Sequence, residues 1–188
     1  MKKIYLLVTF LFISYSVSSQ NNITYGVKAG VNLTGFHTDG GTNSDLVGFN
    51  LGGVAKMDLN KTFGIQGELN LNSKGGIYRL PLTSNNPEIR LTYINVPVLL
   101  KTHITQKFNF EIGPEFGFLI SKKAKLNGET FDIDDVSSFD MNLNAGLSYE
   151  FEKGIFIQGR YGYGFTKLFE NRDYKNSCIS ISLGYFFN

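Results

Sequence analysis

Tryptophan is absent from the 188 residues, cysteine occurs once, as Cys178, and histidine twice, as His37 and His103. A lone thiol closes no intramolecular disulfide, so the stability of the fold has to come from elsewhere. An excess of one charge is missing too. Eighteen Lys and Arg stand against 16 Asp and Glu, and setting aside Lys2 and Lys3 leaves 16 of each. That balance supplies no electrostatic drive toward nucleic acid or anionic surfaces. Helical periodicity is almost lacking. After the first twenty residues no apolar run approaches the length of a spanning helix, so a membrane form of this chain must cross as strands. What the sequence does have is glycine, 21 residues, and 14% aromatic side chains. Strands and turns are the natural reading, and the length suits one domain.

The N-terminus carries its own signal. Lys2 and Lys3 precede the apolar stretch "IYLLVTFLFISYSV", and Val17 and Ser19 take the −3 and −1 positions of a cut before Gln20. This is the pattern of a secretory signal peptide over residues 1–19, leaving 20–188 as the barrel domain argued below. No cysteine sits at the cut, which argues against lipoprotein processing.

Strict two-residue alternation then recurs in eight segments: Ile23 to Phe36, Leu46 to Leu59, Thr62 to Asn72, Glu88 to His103, Phe108 to Ser121, Phe139 to Phe151, Gly154 to Leu168 and Asn176 to Phe187. In "GIFIQGRYGYGFTKL", Ile155, Ile157, Tyr161 and Phe165 fall on one face, and Gln158, Arg160 and Gly164 on the other. Such alternation marks strands with two unlike faces. Each segment reaches the roughly 9–11 residues of a tilted membrane strand. The connections alternate in length. His37 to Asp45, Ser73 to Pro87, Lys122 to Ser138 and Phe169 to Lys175 are long and polar; those at Asn60, Ile104 and Glu152 are short. Long outer loops and tight periplasmic turns are the habit of outer-membrane barrels.

Which face meets solvent decides the architecture. A soluble, lipocalin-like carrier of an apolar ligand is greasy within, whereas a small membrane barrel is polar within. Away from the segment ends the apolar face carries no charge. The other face mixes glycine and asparagine with a few charges, which suits a cramped lumen better than a solvated exterior. Tyr161, Tyr163, Phe165, Tyr185 and Phe187 gather toward strand ends, as in the aromatic girdles of membrane barrels. The expected fold is therefore all-β: an eight-stranded antiparallel up-and-down transmembrane β-barrel in the cell outer membrane, with outer-membrane lipid around it.

"LTYINVPVLLK" (Leu91 to Lys101) followed by "FNFEIGPEFGFLIS" (Phe108 to Ser121), together with "RYGYGFTKL" and "ISISLGYFF", resembles the PorT-like outer-membrane β-barrel domain of Gram-negative bacteria. The resemblance spans essentially the whole mature chain; the Pro-then-Lys strand and the following Gly-Pro are its most specific parts. It implies an eight-stranded barrel and envelope or secretion partners, and it transfers no catalytic motif.

The site expected from the polar face is a structural charge network in the lumen: Lys28, Lys56, Lys101 and Arg160 against Asp58, Glu68, Glu111, Glu115 and Glu150. Buried charges of both signs have to pair, because an unpaired one costs several kcal/mol. Pro97 and Pro114 interrupt adjacent strands, where each removes a ladder donor. A hairpin centred near Thr105 would set Pro97 opposite Gly113 and Pro114 opposite Val96, with a bulge or break beside them. His37 and His103 fall at opposite barrel ends, so no Ser-His-acid arrangement and no shared metal site emerges. "ETFDIDD" clusters Glu129, Asp132, Asp134 and Asp135 in an outer loop but matches no calcium-loop spacing. No cofactor, metal or nucleic-acid partner is expected. The functional expectation is a non-enzymatic outer-membrane protein, a secretion-associated or envelope scaffold; the alternatives are a lipid-acting outer-membrane enzyme and the soluble carrier.

Overall fold

The structure, a computed structural model, describes residues 23–38, 41–42, 46–77, 87–133, 136–169 and 174–187. The signal segment, Asp39, Asp134 and Asp135 lie outside them. Ten strands form one antiparallel sheet: β1 (Ile23–Thr38), β2 (Gly41–Thr42), β3 (Leu46–Asp58), β4 (Phe63–Ile77), β5 (Glu88–His103), β6 (Phe108–Leu126), β7 (Glu129–Asp132), β8 (Phe139–Glu150), β9 (Ile155–Gly164) and β10 (Lys175–Phe187). Eight make the wall, in the order β1, β3, β4, β5, β6, β8, β9, β10. β10 pairs back on β1 from Tyr25↔Phe187 to His37↔Lys175, which closes the cylinder. Closure satisfies every strand edge of the wall, the condition for crossing a bilayer with strands. This is the expected eight-stranded barrel.

The faces lie as a membrane barrel requires. Val27, Leu51, Leu69, Leu147, Ile157 and Leu183 are exposed on the outside, whereas Asn32, Gln66, Asn95, Asn144 and Gln158 are buried in the lumen. The soluble-carrier alternative needs an apolar interior and fails on this observation. Glycine makes room inside: a Cβ on Gly184 would overlap the Phe156 ring, and one on Gly52 would overlap the Asn70 side chain.

The short turns are built as expected. Asn60 Oδ1 accepts the amides of Thr62 and Phe63 at 2.8 and 2.9 Å, and Thr105 Oγ1 accepts that of Phe108 at 3.0 Å. Two of the long connections are corrected. β4 runs on to Ile77 and β6 to Leu126, so Ser73–Ile77 and Lys122–Leu126 belong to the wall rather than to loops. Their serine, lysine and glycine read as loop, yet β4 pairs with β5 without a break from Asn70↔Asn95 to Ile77↔Glu88. β6 then turns back into β7 through Asn127 and Gly128, with φ of 52° and 91°. Both values are positive, the backbone a two-residue hairpin demands.

Strand β6 also carries a bulge. Pairing with β5 passes from Tyr93↔Leu119 to Thr92↔Ser121, so Ile120 is the extra residue. Beyond it the faces swap: Ala124 points inward while Lys123 and Lys125 are exposed. A bulge of this kind re-aims side chains by one residue.

Two apolar clusters bracket the polar lumen. At the outer end Phe36, Ile89, Leu91, Tyr93, Val136 and Leu168 form a core from strand extensions and loops. At the periplasmic end Val54, Phe156 and Phe186 pack together, with the two rings stacked at 4.4 Å.

Candidate functional site

Between these apolar caps the lumen is filled by side chains of the inward face. Lys28 on β1 bonds Glu68 on β4 at 2.7 Å and Gln158 on β9 at 2.8 Å. Arg160 on β9 grips both oxygens of Glu68, at 3.0 and 2.8 Å, and reaches Glu111 on β6 at 3.1 Å. Glu111 lies 3.8 Å from Lys101, Lys101 is 2.6 Å from Glu150, and Glu150 is 2.5 Å from Lys56. One ion-paired chain thus runs from Lys28 through Glu68, Arg160, Glu111, Lys101 and Glu150 to Lys56. A fork of two guanidinium nitrogens on two carboxylate oxygens is the geometry in which such pairs are strongest.

A second cluster sits nearer the outer end. Glu115 takes Lys74 at 2.8 Å, Asn95 at 2.5 Å and Asn144 at 2.9 Å. Asp140 lies 3.6 Å from Lys74 and accepts from Asn142, Thr166 and Asn176 at 2.8–3.0 Å. The chain holds one cation more than carboxylates; the cluster around Lys74 holds one carboxylate more than cations. The two sit across a void of about 30 Å³ lined by residues that include Lys28, Lys74, Glu115, Arg160 and Cys178. That is room for about one water. The excess charges of the two groups offset each other across it.

Lys74 and Asp140 belong to the lumen charge network and were not among the residues expected from the sequence. Both keep the inward parity of neighbours already assigned to the lumen, Asn70 and Asn72 for Lys74 and Asn142 and Asn144 for Asp140. Continuing the alternation past the apparent loop boundary finds them. Phe156, on the polar face by its alternation with Gln158, and Phe186 carry apolar surface into the lumen. Lys56 Nζ rests 4.4 Å from the centroid of the Phe186 ring, a cation–π contact that ties the ion chain to the apolar cap below it.

Asp58 does not join the network. It is the last residue of β3 and sits at the periplasmic rim, largely exposed, 3.2 Å from His103 Nε2. His103 Nδ1 lies 2.6 Å from Asn109 Oδ1. This pair borders a vestibule of about 550 Å³ with Lys56, Lys61, Thr105 and Glu150. His37 lies at the other end, on β1 opposite Thr42 and Lys175. On the same periplasmic rim, the hydrogen bond and charge of Glu152 raise the Lys107 ammonium above the usual lysine range. Glu129 and Asp132 stand exposed at the two ends of β7. Among the described residues no group of acidic, histidine and cysteine side chains has the geometry to hold a metal ion.

The two prolines are placed differently from the expected register. Facing pairs of β5 and β6 put Pro97 opposite Glu115, not Gly113. The hairpin is centred one residue further on, at Gln106, which moves every partner by two. Pro97 faces the lumen and Pro114 is half-buried on the outer side. Pairing of β5 with β6 lapses between Pro97↔Glu115 and Leu100↔Ile112. Pairing of β5 with β4 lapses between Gly67↔Val98 and Asn70↔Asn95. The register is the same on both sides of each gap, so the ladder is interrupted without slipping.

Comparison with known proteins places this geometry. The family model described as outer membrane protein beta-barrel domain matches residues 17–170. Among solved structures the chain is similar to Ail, the attachment invasion locus protein of Yersinia pestis, at 19% identity over 87% of this chain and 98% of that one, with a TM-score of 0.56. It is also similar to Neisserial surface protein A at 13% identity over 88% and 99%, with a TM-score of 0.60. Ail has a further structure in complex with the heparin analogue sucrose octasulfate, similar at 19% identity over 88% and 99%, with a TM-score of 0.55. Identities this low speak to the fold alone. No curated protein matches the chain.

Proposed function

The chain belongs to the outer membrane protein beta-barrel domain family, and from that premise we propose that it is a non-enzymatic, non-conducting barrel of the PorT-like kind, a scaffold whose rims meet envelope or secretion partners. In this reading residues 1–19 direct export and are removed. The observation that carries it is the filled lumen. A continuous ion-paired chain, a second charged cluster and an apolar cap at each end occupy the lumen, with a void of about 30 Å³ between the charged groups. A solute pathway would have to break charge pairs that are costly to separate inside the wall. Catalysis lacks support as well. His103 lies between Asp58 Oδ1 and Asn109 Oδ1, so neither ring nitrogen is turned to a hydroxyl nucleophile.

Purified chain in planar bilayers tests the plug. The expected record is flat, indistinguishable from the bare bilayer, and discrete ohmic steps overturn the proposal. Crosslinking in the native cell tests the scaffold role, with envelope or secretion components as the expected adducts and adducts to lipid alone as the contrary result. N-terminal sequencing of the protein from the outer membrane is expected to begin at Gln20.

A further inference from the structure

On the outside of the wall, near the outer rim, β4, β5 and β6 present a graded surface. Leu71, Ile94 and Phe118 share one cross-strand row and are apolar. The next row outward on this face is Ser73, Thr92 and Ser121, all hydroxyls. The row after that is Gly75, Arg90 and Lys123, and beyond it Lys125 stands opposite Glu88. Rows on one face are about 7 Å apart. The bulge at Ile120 is what turns Lys123 and Lys125 outward. Without that extra residue, their even-numbered neighbours would take this face. A groove of about 430 Å³ runs here, with Phe49 at its apolar side.

Among the described residues the charges of this groove are incompletely matched. Arg90 and Lys123 are direct cross-strand partners, and like charges so placed repel. Glu88 bonds the Nε of Arg90, while Lys123 and Lys125 make no ion pair among the described residues. Asp132 pairs in register with Lys123 but lies beyond ion-pair distance. The position of this unmet positive charge matters as much as its sign. It begins one hydroxyl row above the apolar face that meets the acyl chains.

We infer that this groove binds the phosphorylated headgroup of an outer-leaflet lipid, with phosphate on Arg90, Lys123 and Lys125, polar linker oxygens on Thr92 and Ser121, and an acyl chain along Leu71, Ile94 and Phe118. A soluble anion would meet only the cationic rows. The vertical order apolar, hydroxyl, cation matches an amphiphile standing in the leaflet. The inference rests on the outer-membrane orientation in the proposed function, but not on the lumen being plugged or the chain lacking enzyme activity.

The test uses the full chain in nanodiscs of phosphatidylcholine containing phosphatidic acid as the phosphomonoester probe, with retained lipid counted by native mass spectrometry. Wild type is expected to retain phosphatidic acid over phosphatidylcholine by on the order of 10- to 100-fold. R90Q/K123Q/K125Q is expected to lose that preference, and K61Q, a change at the opposite rim, to keep it. K125Q alone, at an exposed strand end, is expected to weaken the preference and serves where the triple variant does not refold. No preference in wild type, or an unchanged preference in the variants, overturns the site. Inorganic phosphate or sucrose octasulfate binding wild type as tightly as phosphatidic acid also overturns it, in favour of a soluble polyanion. A chain that inserts and conducts but still retains phosphatidic acid overturns the plugged-lumen reading and leaves the site standing.

Discussion

Arg160 and Glu68 face each other across the barrel, 92 positions apart in sequence, and meet through two parallel hydrogen bonds of 3.0 and 2.8 Å. The strands that carry them, β9 and β4, are not neighbours in the wall. The pair therefore spans the lumen and staples opposite sides of the cylinder. Lys28 joins the same carboxylate from β1, so three strands converge on Glu68.

Breaking this staple on one side is expected to be expensive. Arg160→Leu or Glu68→Leu each leaves a buried charge uncompensated, at a cost of about 3–5 kcal/mol. The double variant is expected to lose clearly less than the sum of the two. Urea titrations in lipid vesicles measure all three. Additive losses would show that the two residues do not act as a unit.

The outward phase of the strands makes a second expectation. Leu147 and Ile157 are exposed on the face assigned to lipid. Arginine at either position should destabilise folding in vesicles by roughly 2–4 kcal/mol if the site lies near the midplane. Losses near zero at both positions would contradict that assignment.

Interrupted pairing beside Pro97 should be visible in exchange. Amides of Glu68 and Val98, which face the gaps on either side of this strand, are expected to exchange faster than those of Gly146 and Ser148 in the unbroken β6–β8 ladder. Pro97→Val restores a donor and is expected to slow exchange, adding about 1 kcal/mol of stability. Uniform protection through the seam would rule out a functional break there.

The outer loops divide into dispensable and structural parts. Phe131 is exposed on β7, whereas Val136 and Leu168 are buried in the outer apolar cluster. Removing the hairpin tip 127–132 with a short linker is expected to leave heat-modifiable gel mobility intact. Leu168→Ala should cost about 2–5 kcal/mol, read from the same urea titrations. A tip deletion that abolishes folding would make β7 part of the wall's minimal structure.

Much of this protein follows from alternation alone. Side chains in a strand point to opposite faces with period two, so the sequence by itself determined the eight wall strands, which residues meet lipid and which the lumen, and the tight turns at Asn60, Thr105 and Glu152. A face free of charge along the middle of every segment also marked the chain as a membrane barrel. Ion pairing was beyond it. Lys28 reaches Gln158 across 130 positions, and Glu115 finds Lys74 across 41, because closure and strand stagger set which inward residues share a level. Asp58 has lumen parity, yet the end of β3 leaves it at the rim with His103. The bulge at Ile120 is equally tertiary. Its extra residue is defined only against β5, and it alone decides that Lys123 and Lys125 face outward. Strand extension past Ser73 and Ser121 was decided by pairing too, since polar and glycine-rich residues become strand once a neighbour supplies their hydrogen bonds.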